Sequence, residues 1–582
     1  MDYPVYTNTA KCRACYKCLS RCPVKAIRVE GGMPNITAKM CVFCGKCVTS
    51  CAAQAKCARG DLDQARRLFQ PGVKVFASLA PSFPAEFCEC SPAQLIAALK
   101  RLGFYGVSET ALGADFVSAA IACDLQAGAG KKDCQKLFLS SACPAVVLYI
   151  KRYAPAFVPY LEDRASPLLA HATFLRHHYG KKTAVVFIGP CIAKKREADQ
   201  FKEINSALTF DELKRWFAEA GIEPEKIPES ECAGADFVPR RAAGGSFFPV
   251  DGGMLIALRK YHGFSKTSNM VISGLDTIAE VLNRDTFAYS TLEAPLFLEL
   301  LACQGGCVNG PCITRDASAI NRRARLLSYA ESADNVLDAE TAASDIPLTG
   351  TLVAVEMPKS KSSPSELRAA LAQLGKFGKE DELNCSACGY ESCRAFAEAL
   401  LDARVEKTLC ASYTRSLVQR KANALIKAMP SGIVIADKHC HIIECNRKFA
   451  VLLGSEIEEL YEISPSMTGF DLFKMAGLGQ YFKEAFAMNA EDGVDFEFRH
   501  DGRIFHLNIF EIERGETLAG VLEDITKPQT RRDNTVARAK KIIDKNVKSV
   551  QKIAFLLGEN AAETEAILNS IIESYTAGKP KK

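Results

Sequence analysis

The sequence predicts a multidomain α/β chain. Three observations carry this: short β-rich runs alternate with helical patterns from about 72 to 330, cysteines recur at ligand spacing before residue 60, and 582 residues exceed what one core requires. Hydrophobic residues at 48% and charged residues at 24% describe an ordinary globular composition. A formal charge of +5 is small for the length, so neither nucleic acid nor a membrane surface is an expected partner. No run reaches the roughly 18 apolar residues of a membrane span. The N-terminal residues reach Cys12 without an apolar stretch, so no secretory signal is expected. Twenty-five cysteines in that setting point to a reducing, cytoplasmic compartment where thiolates serve metals.

The first domain is assigned to 1–65. Cys12, Cys15, Cys18 and Cys22 stand at spacings x2, x2, x3 before Pro23, and the pattern returns at Cys41, Cys44, Cys47 and Cys51. A four-iron cluster needs four converging thiolates; one tight loop supplies three, and the other motif lends the fourth. Cys12, Cys15, Cys18 and Cys51 are therefore expected on one 4Fe-4S cluster, and Cys22, Cys41, Cys44 and Cys47 on a second. A zinc ribbon needs only four ligands in two pairs and leaves the others unused. The run is similar to bacterial two-cluster ferredoxins, with Ala52 where a second proline often stands. Cys57 lies outside both motifs and is expected to be a small buried side chain.

The second domain is assigned to 66–345. KVFASLAP precedes SPAQLIAALKRLGF, TAVVFIGP precedes a helical stretch and DELKRWFAEAG, and GGMLIALRKYHGF precedes MVISGL. This periodicity predicts parallel strands that deliver loops at their carboxyl ends. Three loops carry cysteines: SSACPAV with Cys143, GPCIAKKRE with Cys191, and LACQGGCVNGP with Cys303 and Cys307. Pro144 and Pro190 stiffen the chain beside a thiolate, and Gly305 and Gly306 permit close backbone approach to a bulky inorganic group. Lys194 stands either as an ammonium for an anionic ligand or as part of a solvated run with Lys195 and Arg196.

These motifs resemble the catalytic domain of the iron-only (FeFe) hydrogenases, over about residues 1–345 when the cluster motifs are included. The resemblance implies an H-cluster: a 4Fe-4S cubane bridged to a two-iron unit bearing CO, CN and a dithiolate amine. Carried over by motif, Cys143, Cys191, Cys303 and Cys307 hold the cubane, with Cys307 as the bridge. Lys194 matches the family lysine that hydrogen-bonds a cyanide, while Ala80, Pro81 and Ser82 match the small segment beside the two-iron unit. The family relays protons through a cysteine that is Ala142 here, and a methyl group exchanges no proton. Farther along that relay an ungapped reading from Ala114 and Asp115 places Ile121 at one acidic position and retains an acid at Asp124. Gly189 and Leu301 stand at or near usual methionines. Cys312, five residues beyond the bridge, is expected as a buried free thiol rather than a substitute donor.

Residues 346–420 are assigned to a linker and a third cluster module. LVAVEM reads as a strand, PKSKSSP as a linker, and a helix is expected at 364–376. Cys385, Cys388 and Cys393 follow at x2 and x4, with a helical pattern across AFAEALLDARVEKT before Cys410. Zinc is one reading, but the uneven spacing resembles the four-iron module of corrinoid iron–sulfur proteins. Residues 421–527 show two alternating strands about a turn, with Asn446 as a helix cap. The segment ending Asp524, Ile525 and Thr526 is similar to the exit of a PAS domain. Cys440 and Cys445 read as packed thiols, and His439 and His441 as polar residues near the turn; the PAS ligand, haem or flavin among the options, is unknown. Residues 528–582 read as a helical tail with an apolar face through Ile542, Ile543, Val547, Val550, Ile553, Ala554 and Leu557.

The expected function is a sensory FeFe hydrogenase that slowly and reversibly converts dihydrogen to two protons and two electrons, then passes redox or ligand state through the PAS domain. Expected partners are dihydrogen and protons, an electron carrier, a downstream signalling protein of kinase or phosphatase type, H-cluster maturation proteins, and a second copy through the PAS domain and tail. The alternatives are a bidirectional metabolic hydrogenase and a non-catalytic iron–sulfur scaffold without the two-iron unit.

Overall fold

The computed structural model describes residues 3–128, 136–260, 268–282, 295–315, 317–332, 355, 362–488, 493–526, 547, 548 and 550. The LVAVEM strand apart from Val355, the first four residues of the PKSKSSP linker and nearly all of the tail pattern lie outside the described residues. The chain divides into two compact units, Met1–Leu409 and Cys410–Lys582.

The first unit opens with β1 (Val5–Thr7), β2 (Ile27–Glu30), β3 (Met33–Ile36) and β4 (Lys56–Ala58), paired antiparallel as β1 with β4 and β2 with β3. The β1–β4 pair brackets the two cysteine runs, and the β2–β3 hairpin separates them. The central region contains β5 (Val75–Leu79), β6 (Gly106–Glu109), β7 (Leu137–Leu139), β8 (Ala184–Ile188), β9 (Ser206–Leu208), β10 (Ser268–Ser273) and β11 (Leu296–Leu301). They form two parallel sheets, ordered β6-β5-β8-β9 and β10-β11-β7. Every residue of β5, β8 and β11 is buried, as parallel strands covered on both faces require. Helices start where the local chemistry satisfies their free amides. Ser91 and Gln94 close a capping box on Pro92–Arg101, and Thr209 and Glu212 do the same for Phe210–Glu219. The helix expected at 364–376 runs Pro364–Gln373.

This architecture places Ala80–Ser82, Ser140–Cys143, Pro190–Cys191 and Cys303–Cys307 just beyond the carboxyl ends of β5, β7, β8 and β11. Ser140 ties the loop after β7 to strand β11: its amide donates to Leu298 O at 3.0 Å, and its hydroxyl accepts from Leu300 N at 2.9 Å.

The second unit begins with the helix Ala411–Ala428, which starts ten residues before the expected domain boundary. Then come β12 (Gly432–Asp437), β13 (Ile442–Cys445), β14 (Val494–His500), β15 (Arg503–Glu513) and β16 (Thr517–Asp524). They form one antiparallel sheet in the order β13-β12-β16-β15-β14. Asn446 caps the helix Arg447–Leu453 by accepting from Phe449 N at 2.9 Å. Cys440 and Cys445 are buried in the apolar core, their thiols donating to Gly479 O and Ser466 O at 3.5 and 3.3 Å. His439 and His441 stand exposed at the turn, and their amides donate to Asp437 Oδ1 at 2.9 and 2.8 Å.

Candidate functional site: a buried cysteine cage

Cys143 precedes the helix Pro144–Tyr153, Cys191 lies in the turn before Ala193–Gln200, and Cys303 and Cys307 follow β11. Burial raises the Cys191 thiol to about 11, with Cys143 adding to the rise. Burial also raises Cys303, reinforced by Cys307, Cys191 and Cys143, and Cys307 responds to Cys143 and Cys191. The four half-buried thiols thus lie close enough to perturb one another. Free thiolates are costly there, and binding to a cationic cluster resolves the cost by replacing the protons. Among the described residues no three His, Cys, Asp or Glu side chains close on a single metal ion. A cubane spreads its ligands wider than one ion does, and the cage suits such a group.

Beside the cage, Ala80 N donates to Ile188 O at 2.8 Å and holds the turn after β5 against β8. Ser82 is 1% exposed, and its hydroxyl has no hydrogen-bond partner among the described residues. Such an orphan is unusual in a close-packed interior and marks a place where a polar group fits. Lys194 is buried; its Nζ donates to Glu197 Oε2 at 2.6 Å and Ser166 Oγ at 3.3 Å, while its charge opposes the rise at Cys191 and Cys307. Lys195 is also buried, donating to Glu212 Oε2 and Ala207 O at 2.7 Å and to Asp61 Oδ2 at 3.2 Å. The solvated-run reading therefore fails for both lysines: one faces the cage, and the other ties the end of the first domain to the central sheet.

Ala142 packs on the apolar cluster that contains Phe116 and Phe297, and Ile121 is fully buried in the same cluster. Asp124 accepts from Arg164 Nε at 2.8 Å and remains partly exposed. At Gly189 an added Cβ would lie 2.5 Å from Phe187 Cζ and 2.6 Å from Ala80 Cβ, so these residues already fill the entrance to a side-chain position. Leu301 is buried. Cys312 is buried as expected; burial pushes its thiol far up, and its amide donates to Pro190 O at 3.1 Å. Gly306 has φ +98°, and an added Cβ would meet Pro249 O at 2.2 Å. Its glycine is thus required by contact with the protein's own backbone, a reason different from the inorganic group invoked for it from sequence.

Sequence reasoning missed two buried carboxyls. Glu162 is pushed up to about 7, first by burial and then by Asp124. Glu299 reaches about 7 through burial and accepts from Leu255 N at 3.2 Å and Met254 N at 3.4 Å. A visible signal existed for Glu299, an acid inside the apolar strand LFLELL.

In the first domain, burial raises Cys18 to about 11, with Cys15, Cys12 and Cys51 contributing, whereas Cys41, Cys44 and Cys47 each respond to Cys22. Cys47 also responds to Cys18, so the two sets of cysteines lie close to one another. Cys57 is half-buried rather than buried: its short strand pairs on one side and leaves the thiol partly open, donating to Gln54 O at 3.3 Å. In the third module Cys385 is exposed, and Cys388 and Cys393 are half-buried. Cys393 begins a helix that stops at Leu401, short of the expected span, and Arg404 N turns back to Ala399 O at 2.8 Å. Cys410 opens the second unit as the residue before Ala411–Ala428.

Residues 73–311 match the family described as iron only hydrogenase large subunit, C-terminal domain. The central domain has the fold of that hydrogenase domain. Residues 4–52 match a 4Fe-4S dicluster domain, 381–422 an Fe-S cluster family and 420–485 a PAS domain. Iron hydrogenase 1 of Clostridium pasteurianum is 25% identical over 289 residues, which cover 41% of this chain and 50% of that protein. The chain thus spans about half of that relative's length. The periplasmic iron hydrogenase large subunit of Nitratidesulfovibrio vulgaris is 27% identical over 362 residues, 53% of this chain and 85% of the relative. A solved FeFe hydrogenase of Chlamydomonas reinhardtii aligns at 17% identity and a TM-score of 0.41, over 51% of this chain and 99% of its own. The hydrogenase domain is thus joined to iron–sulfur and PAS modules. No helix among the described residues is long and apolar enough to cross a membrane.

Proposed function

We propose that this chain is a cytoplasmic sensory hydrogenase that activates dihydrogen slowly and reversibly and passes redox state toward a signalling partner through its PAS domain. The observation that carries the proposal is Ala142: an apolar side chain replaces the proton donor, while the surrounding cage of Cys143, Cys191, Cys303 and Cys307 is retained.

In this reading the four cysteines hold the cubane, and the two-iron unit, when bound, supplies the site of heterolytic dihydrogen cleavage. Lys194 presents an ammonium to the anionic ligands of that unit, from a position already stabilised by Glu197. Ser82 offers its unpartnered hydroxyl, and Pro81 narrows the turn carrying it. Apolar Ala142 and Ile121 remove exchangeable groups from the expected proton path, so transfer through Asp124 loses its positioned chain and turnover falls. Two clusters in 1–65 and a third held by Cys385, Cys388, Cys393 and Cys410 carry electrons. Dihydrogen-dependent shifts of CO and CN infrared bands in matured protein test the core reading; their absence refutes it. Iron near four rather than six atoms in the central domain would favour the scaffold alternative.

A further inference from the structure

The third cysteine module is docked on the first domain. Val29 N donates to Arg404 O at 2.9 Å, and the amides of Gly31 and Gly32 donate to the Glu406 carboxylate at 2.6 and 3.3 Å. Beside the module's cysteines, Gly389 lies against the helix turn between Cys18 and Cys22: an added Cβ would sit 3.1 Å from Ser20 Cα, N and Oγ. Lys25, three residues beyond Cys22, places its ammonium 5.9 Å from the centre of the Tyr390 ring. Tyr390 is buried, and its phenol senses both Cys388 and Cys22.

Cys41, Cys44 and Cys47, assigned with Cys22 to one cluster, abut the hydrogenase cage. Val5, Phe43, Ala145, Ile192, Ala193 and Cys312 form one buried apolar cluster, with Cys41, Cys44, Cys47, Cys143 and Cys191 packed on it. An added Cβ on Gly45 would meet Pro311 Cβ at 2.3 Å, and Cys303 responds to Cys44. The helix that starts after Cys143 ends by donating from Arg152 to Cys41 O at 2.5 Å and from Tyr153 to Met40 O at 2.7 Å.

We infer that the Cys22–Cys41–Cys44–Cys47 cluster is a junction: it exchanges electrons with the cage on one side and divides them between the Cys12–Cys15–Cys18–Cys51 cluster and the third module. The assignment rests on cluster loading, and its connection to dihydrogen rests on the function proposed above. Dihydrogen oxidation releases two protons and two electrons. Each 4Fe-4S cluster takes one electron, passing from the 2+ to the 1+ state, so the two arms together accommodate one pair. The contacts at Val29, Gly31, Gly32 and Tyr390 therefore form the electrical connection of the third module to the rest of the chain.

The test uses full-length, iron-loaded protein reduced by dithionite, which needs no H-cluster. Paramagnetic resonance should show magnetic interaction between the third cluster and those of the first domain. In Cys385→Ser, with one cluster's iron lost, that interaction should disappear while the first-domain signals persist and sharpen. A wild-type spectrum equal to non-interacting components refutes the contact. In a separate experiment under dihydrogen, Cys22→Ser should lose reduction of the third cluster while infrared bands of the H-cluster still respond. Reduction at the wild-type rate in that variant refutes the junction. Absent H-cluster bands, by contrast, count against the proposed function and leave the dithionite result standing.

Discussion

The two units differ most in what they bury. The first encloses Lys56, Asp61, Glu86, Glu109, Asp115, Glu162, Lys194, Lys195, Glu197, Glu212 and Glu299 beside the half-buried cysteine cage. In the second, the buried polar side chains among the described residues are Ser431 and Asn446, set around an apolar core of Phe449, Phe482, Phe505 and their neighbours. Buried charges require partners, and a fold that keeps so many has an interior suited to moving charge. An interior with almost none responds through packing. The difference separates the cysteine-bearing central domain from the PAS domain within one chain.

The sharpest way to break this contrast is to remove a charge that the first unit relies on. Lys195→Met leaves Glu212 buried without its counter-charge and Asp61 with Arg59 alone, at an expected cost of about 3–5 kcal/mol. Calorimetry of iron-loaded protein should show a large fall in the first unit's transition and none in the second's. Ala142→Cys addresses the proton side of the comparison. Restoring a positioned donor should raise dihydrogen turnover by about a hundredfold, measured at steady state; an unchanged rate means another group already relays the proton.

The second unit's counterpart is Asn446→Ala. It removes a helix cap and leaves the buried Ile433 and Phe449 amides without their acceptor, costing about 2 kcal/mol. Its effect should appear in the second transition alone.

The smallest effect is a pH dependence. Glu162 ionises near 4.5 when unfolded but near 7 in the fold, so the native state retains a proton that the unfolded chain loses. Stability from this group is greatest below about 4.5 and falls as pH rises through about 7. Glu162→Gln should flatten that slope in the first transition between acidic and alkaline buffer. A slope as steep as that of the parent protein would place the titration elsewhere.

What was legible in the sequence depended on locality. Cluster spacings report constraints within a few residues, which is why the dicluster character of the first domain was readable from them. The parallel strands were readable because their apolar runs are short and separated by helical patterns. Ala142 was readable because an absent group leaves a gap in an otherwise complete motif. Lys195 was not: burying it depends on Asp61 and Glu212, far away in sequence, and three adjacent basic residues ordinarily face water. Glu162 was hidden for the same reason, lying beside a strand whose parallel bridge joins Leu139 to Leu161. The third module's docking could not be read either, since main-chain groups of Val29, Gly31 and Arg404 make much of it.

One amide in the PAS domain has a mechanical consequence. Asn446 Nδ2 donates to Ile426 O and Ser431 O, each at 3.0 Å, while its Oδ1 accepts from Ile433 N and Phe449 N, each at 2.9 Å. It thereby keys the end of the Ala411–Ala428 helix to the first strand and to the next helix. A shaft keyed in this way delivers torque: turning the helix about its axis strains the sheet directly, whereas an unkeyed helix would spin in place.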